Sequence, residues 1–333
     1  MNLPAARAEP ARALLDVQAP VRAELDTVPR EMSRIVSAEN DLAASVTDHL
    51  MAMRGKMFRP TLVLLSSAVE GPPPRRAVTL AAVTELVHLA TLVHDDSVDH
   101  SALRRGQPTV NSLFSHQVSV IMGDLLYVHA FAELVRDADF AVLRAVTRAS
   151  TEMTVGEIQQ LAAVEALAFS EQDYEQLIRA KTASLFSAAC EIGAIAGGGH
   201  HQEALARYGD RLGRAFQIAD DLLDFTEDSG TTGKPQGSDL REHKVTLPLI
   251  AALRVVTPAE RARVETLFAR AVPDDELIAD VAEIVTESGG LDYARRRGEA
   301  YAGEAEDALA SLPTGPVRAA LAEAIAYVME RRS

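Results

Sequence analysis

Apolar residues recur at three- and four-residue spacing along nearly the whole 333-residue chain. Leu80, Val83, Leu86, Val87, Ala90 and Leu92 follow it, as do Leu205, Tyr208, Leu212, Ala215, Phe216, Ala219 and Leu223. This is the period of helices that bury one face. No β-branched alternating stretch bounded by turn residues competes with it. Gly and Pro punctuate the pattern at Gly71 to Pro74, Gly106 to Pro108, Gly197 to Gly199, Gly230 to Gly237 and Leu312 to Pro316. Between these breaks the spacing predicts helices at roughly 20–37, 41–54, 60–70, 75–99, 110–136, 139–166, 171–196, 201–227, 245–255, 257–271, 275–311 (broken near Gly289) and 316–332. The fold class is all-α. Residues 1–18, rich in Ala, Arg and Pro, read as a flexible arm, and 19–333 as one domain, since no linker separates compositionally distinct halves.

Composition narrows the function classes. The 33 Lys and Arg stand against 48 Asp and Glu, a net charge of −15, which makes a poor nucleic-acid partner. With 47% hydrophobic and 24% charged residues the chain is not a disordered one. Its most apolar window, Thr79 to Val93, contains Glu85 and His88, and no run approaches the ~18 uninterrupted apolar residues of a membrane span. The opening residues lack a basic-then-apolar signal pattern. The single cysteine, Cys190, rules out an internal disulfide and fits a reducing cytoplasmic setting. Only four of the basic residues are Lys (Lys56, Lys181, Lys234 and Lys244), the other 29 being Arg, and that bias asks what the four lysines hold.

Two helices carry the same acidic element: Asp95-Asp96-Ser97-Val98-Asp99 and Asp220-Asp221-Leu222-Leu223-Asp224. At ~100° per residue, the first and last aspartates of each lie one turn apart on one face. Three carboxylates in one turn repel one another, and both elements interrupt apolar faces, so a solvated surface explains them poorly. Magnesium explains them better, because it takes one or two carboxylates per site and completes its shell with water and phosphate oxygens. The plainer reading is an acidic helix end awaiting Arg partners. Leu103-Arg104-Arg105-Gly106 follows the first element, and its guanidiniums suit either that role or a bidentate grip on phosphate. Gly55-Lys56-Met57-Phe58-Arg59-Pro60 places two cations on a turn that opens a helix, where N–H groups and the dipole also favour anions.

These motifs, with Gly123-Asp124-Leu125-Leu126-Tyr127, Lys181 to Phe186 and Phe216 to Leu249, resemble the trans-isoprenyl diphosphate synthases of the polyprenyl synthetase family, over roughly residues 50–255. The resemblance implies a single large helical bundle of the isoprenoid synthase type around a central cavity, a homodimer, and magnesium, three ions per site. It implies isopentenyl diphosphate and an allylic diphosphate as substrates, with no membrane span but with product transfer at a membrane. It makes Asp95, Asp99 and Asp220 metal ligands, and Asp96, Asp221 and Asp224 outer-shell or alternative ones. Arg104, Lys181, Lys234 and Lys244 fall around the allylic diphosphate. Thr182 and Gln217 fall beside the reacting carbon. Gly55, Lys56, Arg59, His88 and Arg105 fall in the isopentenyl pocket. His88 on its apolar face reads by itself as a core residue, but it lies about two turns before Asp95 on a similar face. The pattern departs from the family at His243, where Gly is common. The loop from Thr226 to His243 reads as a lid carrying Lys234, and the terminal Arg331 and Arg332 either cover the site or fray.

In the family, bulky residues four and five before the first aspartate stop growth at fifteen carbons. Here they are Thr91 and Ala90, both small, ~6–7.5 Å along the helix from Asp95. The next floor falls to Met122, Leu126 or Tyr127, so the expected product has twenty carbons or more. Two other readings compete. A class I terpene cyclase shares the first motif but needs no isopentenyl pocket and seldom carries a second aspartate triplet. A silent scaffold subunit predicts broken motifs, and these are intact.

Overall fold

The computed structural model describes residues 10–37, 41–53, 55–104, 106–162, 166–226 and 237–330. Helices α1 (Pro10–Gln18), α2 (Arg22–Leu25), α3 (Val28–Ile35), α4 (Asp41–Ala52), α5 (Phe58–Ser67) and α6 (Arg75–Val98) come first. A two-residue antiparallel pair follows, β1 (Leu103–Arg104) and β2 (Gln107–Pro108), in register Leu103↔Pro108. Then come α7 (Val110–Leu113), α8 (His116–Asp137), α9 (Phe140–Ala162), α10 (Glu171–Ile178), α11 (Ser184–Ala196) and α12 (Gln202–Thr226). The helices Ser238–Arg241, Leu247–Ala252, Pro258–Ala269, Asp275–Glu287, Gly290–Ala308 and Pro316–Met329 complete the described chain. The buried apolar side chains form one continuous cluster, from Val17 on α1 to Val328 on the last helix.

Several helix starts have a local cause. Ser170 and Asp173 form a reciprocal capping box at the start of α10, and Thr257 with Glu260 forms another ahead of Pro258. Helix α5 is buried on every side and forms the centre of the bundle between α6 and α11. Gly193 lets α11 press against it, since a Cβ there would lie 2.3 Å from the Val63 carbonyl oxygen.

Several expectations are corrected. The second half of the supposed arm is helix α1, because Val17 is fully buried and the Gln18 amide donates to the Lys56 carbonyl at 3.0 Å; residues 1–9 lie outside the described residues. The helix expected at 20–37 divides before Val28, with Pro29 in the first turn of α3. The helix expected at 110–136 restarts at His116, where the Ser115 hydroxyl accepts from the Val118 N–H. The helix expected at 171–196 contains a π-helical turn, Arg179–Ala183, which carries Lys181 and Thr182. A π turn inserts an extra residue and re-aims the side chains it holds. By length and composition α6 and α8 pass as membrane spans, with 61% and 39% of their apolar windows buried. In α6 that burial belongs to the core, and α8 keeps more of its apolar surface exposed.

Candidate active site

The first acidic element closes α6, and the N–H of Asp99 bonds to the Asp95 carbonyl at 2.8 Å. Burial pushes the Asp95 carboxyl up to about 6, against the pull of Lys181. Asp99 is exposed. Asp96 is buried and faces the protein, its two oxygens accepting from Arg104 Nε at 2.8 and 2.9 Å. Arg104 arrives on β1, and the hairpin is fixed from its other strand by His49 Nε2, 2.8 Å from the Pro108 carbonyl oxygen.

The second element lies within α12. Asp221 is buried, accepting from the Tyr174 hydroxyl at 2.5 Å and from Gln217 Nε2 at 2.8 Å. Gln217 Oε1 in turn accepts from the Thr182 hydroxyl at 2.7 Å. One buried polar chain therefore joins the π turn, α12 and α10, and orients Gln217. Burial, with the Asp220 and Asp224 charges beside it, pushes the Asp221 carboxyl up to about 7 despite these donors. Asp224 accepts from the backbone N–H groups of Ser238 and Asp239, each at 3.0 Å, and so caps the helix Ser238–Arg241. Asp220 is exposed.

Cations gather around both elements. Lys244 Nζ lies 2.5 Å from Glu242 and 4.0 Å from Asp99. Burial opposes its charge, but Glu242 and Asp99 outweigh that and hold its ammonium above the usual lysine range. Lys181 Nζ lies 2.6 Å from Glu157 Oε2 and donates to Gln160 Oε1 at 3.3 Å. His243 has a left-handed backbone (φ 54°), the conformation that favours Gly. Position 243 thus has a backbone need that Gly would meet freely and that His meets with strain while its ring packs on Phe268.

On the other flank, Gly55, His88, Asp96 and Arg104 line a small cavity of about 30 Å³, walled by apolar residues that include Met32 and Leu50. Lys56 Nζ lies 5.9 Å from the centre of the Tyr327 ring, and the Arg59 guanidinium 4.7 Å from that of Phe186. Phe58 meets Phe186, Phe216 and Tyr327 at centroid distances of 5.5–6.3 Å, giving these cations an aromatic floor.

Sequence reasoning missed three features. Asp239 lies against the second element, and burial, with Asp221 and Asp224, pushes its carboxyl up to about 8; the available signal was an acid five residues before Lys244. Glu157 and Gln160 hold Lys181 from α9. Tyr327 arrives from the last helix with no local signal. Arg105, Lys234, Arg331, Arg332 and residues 227–236, most of the loop expected to act as a lid, lie outside the described residues. Among the described residues, no three His, Cys, Asp or Glu side chains converge as a ready metal cage. Sites that take one or two carboxylates per ion have no such cage.

The Polyprenyl synthetase family model matches residues 40–285. An all-trans-nonaprenyl-diphosphate synthase (geranyl-diphosphate specific) of Rhodobacter capsulatus is 37% identical over 318 residues, covering 95% of this chain and 97% of its own. A short chain isoprenyl diphosphate synthase of Methanothermobacter thermautotrophicus is 36% identical over 91% of this chain and 94% of its own. The crystal structure of a polyprenyl synthase from Caulobacter crescentus CB15, complexed with calcium and isoprenyl diphosphate, matches with a TM-score of 0.91 at 34% identity, covering 96% of this chain and 98% of that one.

Proposed function

The chain belongs to the polyprenyl synthetase family, and from that premise we propose that it is a prenyltransferase joining isopentenyl diphosphate to an allylic diphosphate, with an all-trans product of twenty carbons or more. The observation that carries this reading is Lys244, whose Nζ lies 4.0 Å from Asp99 of the first acidic element and is attracted by Asp239, which bonds to Asp224 of the second. We infer that the two acidic elements and these cations border one cleft, suited to a metal-bound diphosphate.

The donor set fits magnesium. Asp99 and Asp220 are exposed, and Asp95 is a desolvated carboxylate whose charge a dication would favour. Asp95, Asp99 and Asp220 are assigned as ligands of three ions; Asp96, Asp221 and Asp224, held by protein donors, are assigned to orient them. When bound, magnesium neutralises negative charge on the leaving diphosphate.

Each protein group then has a defined task. The allylic C–O bond breaks and its electron pair leaves with the diphosphate. Lys181, Lys244 and Lys234, with Arg104, meet the charge that grows there. Thr182 and Gln217 place fixed oxygen dipoles beside the carbon that becomes positive. Gly55, Lys56, Arg59, His88 and Arg105 hold isopentenyl diphosphate so that its double bond attacks that carbon. The new C–C bond forms, and the released diphosphate takes the proton that is lost. The chain grows past Ala90 and Thr91 toward Met122, Leu126 and Tyr127.

The same reading includes a homodimer. Ile121, Val128 and Val135, seven residues apart, form an exposed apolar stripe on α8, continued by Val155, Ile158 and Leu161 on α9. A stripe of this extent on adjacent helices suits a second copy of the chain.

Asp95→Ala and Asp220→Ala test the assignment. Each should lower turnover of labelled isopentenyl diphosphate by about two orders of magnitude or more, with an unchanged far-ultraviolet circular dichroism spectrum. Near-normal activity in both would overturn it.

A further inference from the structure

We propose that Glu157, with Gln160, is a positioning residue that holds the Lys181 ammonium toward the allylic diphosphate. Lys181 stands on the π turn Arg179–Ala183, and α9 approaches that turn closely because residue 156 is Gly. A Cβ on Gly156 would lie 2.9 Å from the Ala180 Cβ. One turn of α9 then presents two acceptors to one ammonium: Glu157 Oε2 at 2.6 Å and Gln160 Oε1 at 3.3 Å. Positions 157 and 160 are three apart and share a helix face.

An ammonium has three donors and no acceptor. Two of them face α9, which leaves the third for the substrate. Lys otherwise has a flexible four-carbon stem and a large rotamer freedom to lose on binding an anion. Anchoring the stem in advance removes that cost. Glu157 is also within electrostatic reach of Asp95, as Lys181 is, which places the pair beside the first acidic element. None of the motifs that identify the site includes Glu157 or Gln160. The inference rests on Lys181 facing the allylic diphosphate, as proposed above.

The test compares Glu157→Gln with Glu157→Ala. Both remove the same charge, and only Gln keeps an oxygen acceptor at the same reach, so the ratio between them reports positioning alone. Inorganic diphosphate is titrated by calorimetry with magnesium present, and KM is measured for each substrate. The Gln variant should bind diphosphate about tenfold more tightly than the Ala variant, with the same ratio in KM for the allylic primer. KM for isopentenyl diphosphate should agree between them within about twofold. Gln160→Leu, which removes the second acceptor only, should weaken diphosphate binding by about two- to threefold relative to wild type. The inference fails if the two Glu157 variants bind diphosphate equally, or if both KM values move together. It fails equally if Gln160→Leu binds as wild type does. Because the titration needs no turnover, a wild-type protein that binds diphosphate without elongating a primer would refute the proposed activity and leave the Glu157 comparison decisive.

Discussion

Tyr174→Phe removes one hydroxyl from the buried polar chain and leaves the ring in place. Tyr174 and Asp221 are both nearly fully buried, so the change opens no route for water to replace the lost donor. Asp221 keeps Gln217 as a donor but loses the 2.5 Å bond from the phenol. At pH 8, above the value of about 7 to which the Asp221 carboxyl is pushed, the acceptor is mostly ionised; a hydrogen bond to a charged group contributes about 1.5–3 kcal/mol, and no cavity cost is added. At about 2.1 cal/mol/K of unfolding entropy per residue, a 333-residue chain loses roughly 2–4 °C of Tm for that amount. Gln217 also loses part of its orientation, because Asp221 is what its amide donates to. The expected kinetic signature is a kcat lowered by about three- to tenfold, with primer KM within about twofold of wild type. Differential scanning fluorimetry and steady-state kinetics give both numbers. A double-mutant cycle with Thr182→Val, at the far end of the chain, should show a coupling of about 0.5–1 kcal/mol. An unchanged Tm with no coupling would show that the four groups do not act as one network.

Three further outcomes are expected. Cys190 is fully buried, and burial pushes its thiol up to about 12, so little reactive thiolate is present at pH 8; a disulfide reagent should label it only as the protein unfolds, and rapid labelling of the native protein would contradict the packing of α11. Val128→Lys, in the middle of the exposed stripe on α8, should shift sedimentation from dimer toward monomer, and an unaltered mass would refute the proposed interface. Arg76 holds the Asp139 carboxyl below its usual range. That contribution is present above the unfolded value near 3.9 and lost as pH falls through the depressed folded one, so Asp139→Asn, which still caps α9, should lower Tm by about 1 °C at pH 7 and by progressively less under acid. A gap that widens in acid would give the wrong sign.

The bundle was legible because its causes are local and periodic. The breakers at Gly71 to Pro74 and Gly197 to Gly199 separate helices in the structure as they do in the pattern. The aspartate elements were legible because three acids on an apolar helix have few structural uses. What escaped depends on tertiary contact. Nothing in the residues Arg179 to Ala183 announces a π turn; it forms where α9 packs at Gly156 and Thr182 finds Gln217. Helix α1 looked like a loose arm because its stability comes from burying Val17 and from the Gln18 bond to Lys56 rather than from propensity. Tyr327 could be placed over Lys56 only once the last helix had docked. The two acidic elements share a pattern in sequence but differ in their inward anchors. Asp96 is held by an arginine from a hairpin, and Asp221 by a phenol and an amide. Spacing alone gave no access to that difference.

The measurement that tests the central claim most directly is chromatography of the product formed from labelled isopentenyl diphosphate, an allylic primer and magnesium. The small side chains of Ala90 and Thr91 predict a ladder of diphosphates that ends at twenty carbons or beyond. Truncating the residue that forms the floor, by Met122→Ala, Leu126→Ala or Tyr127→Ala, should lengthen it further. A product confined to fifteen carbons would contradict the open tunnel. Hydrocarbon or alcohol made from the primer alone would contradict the condensation itself.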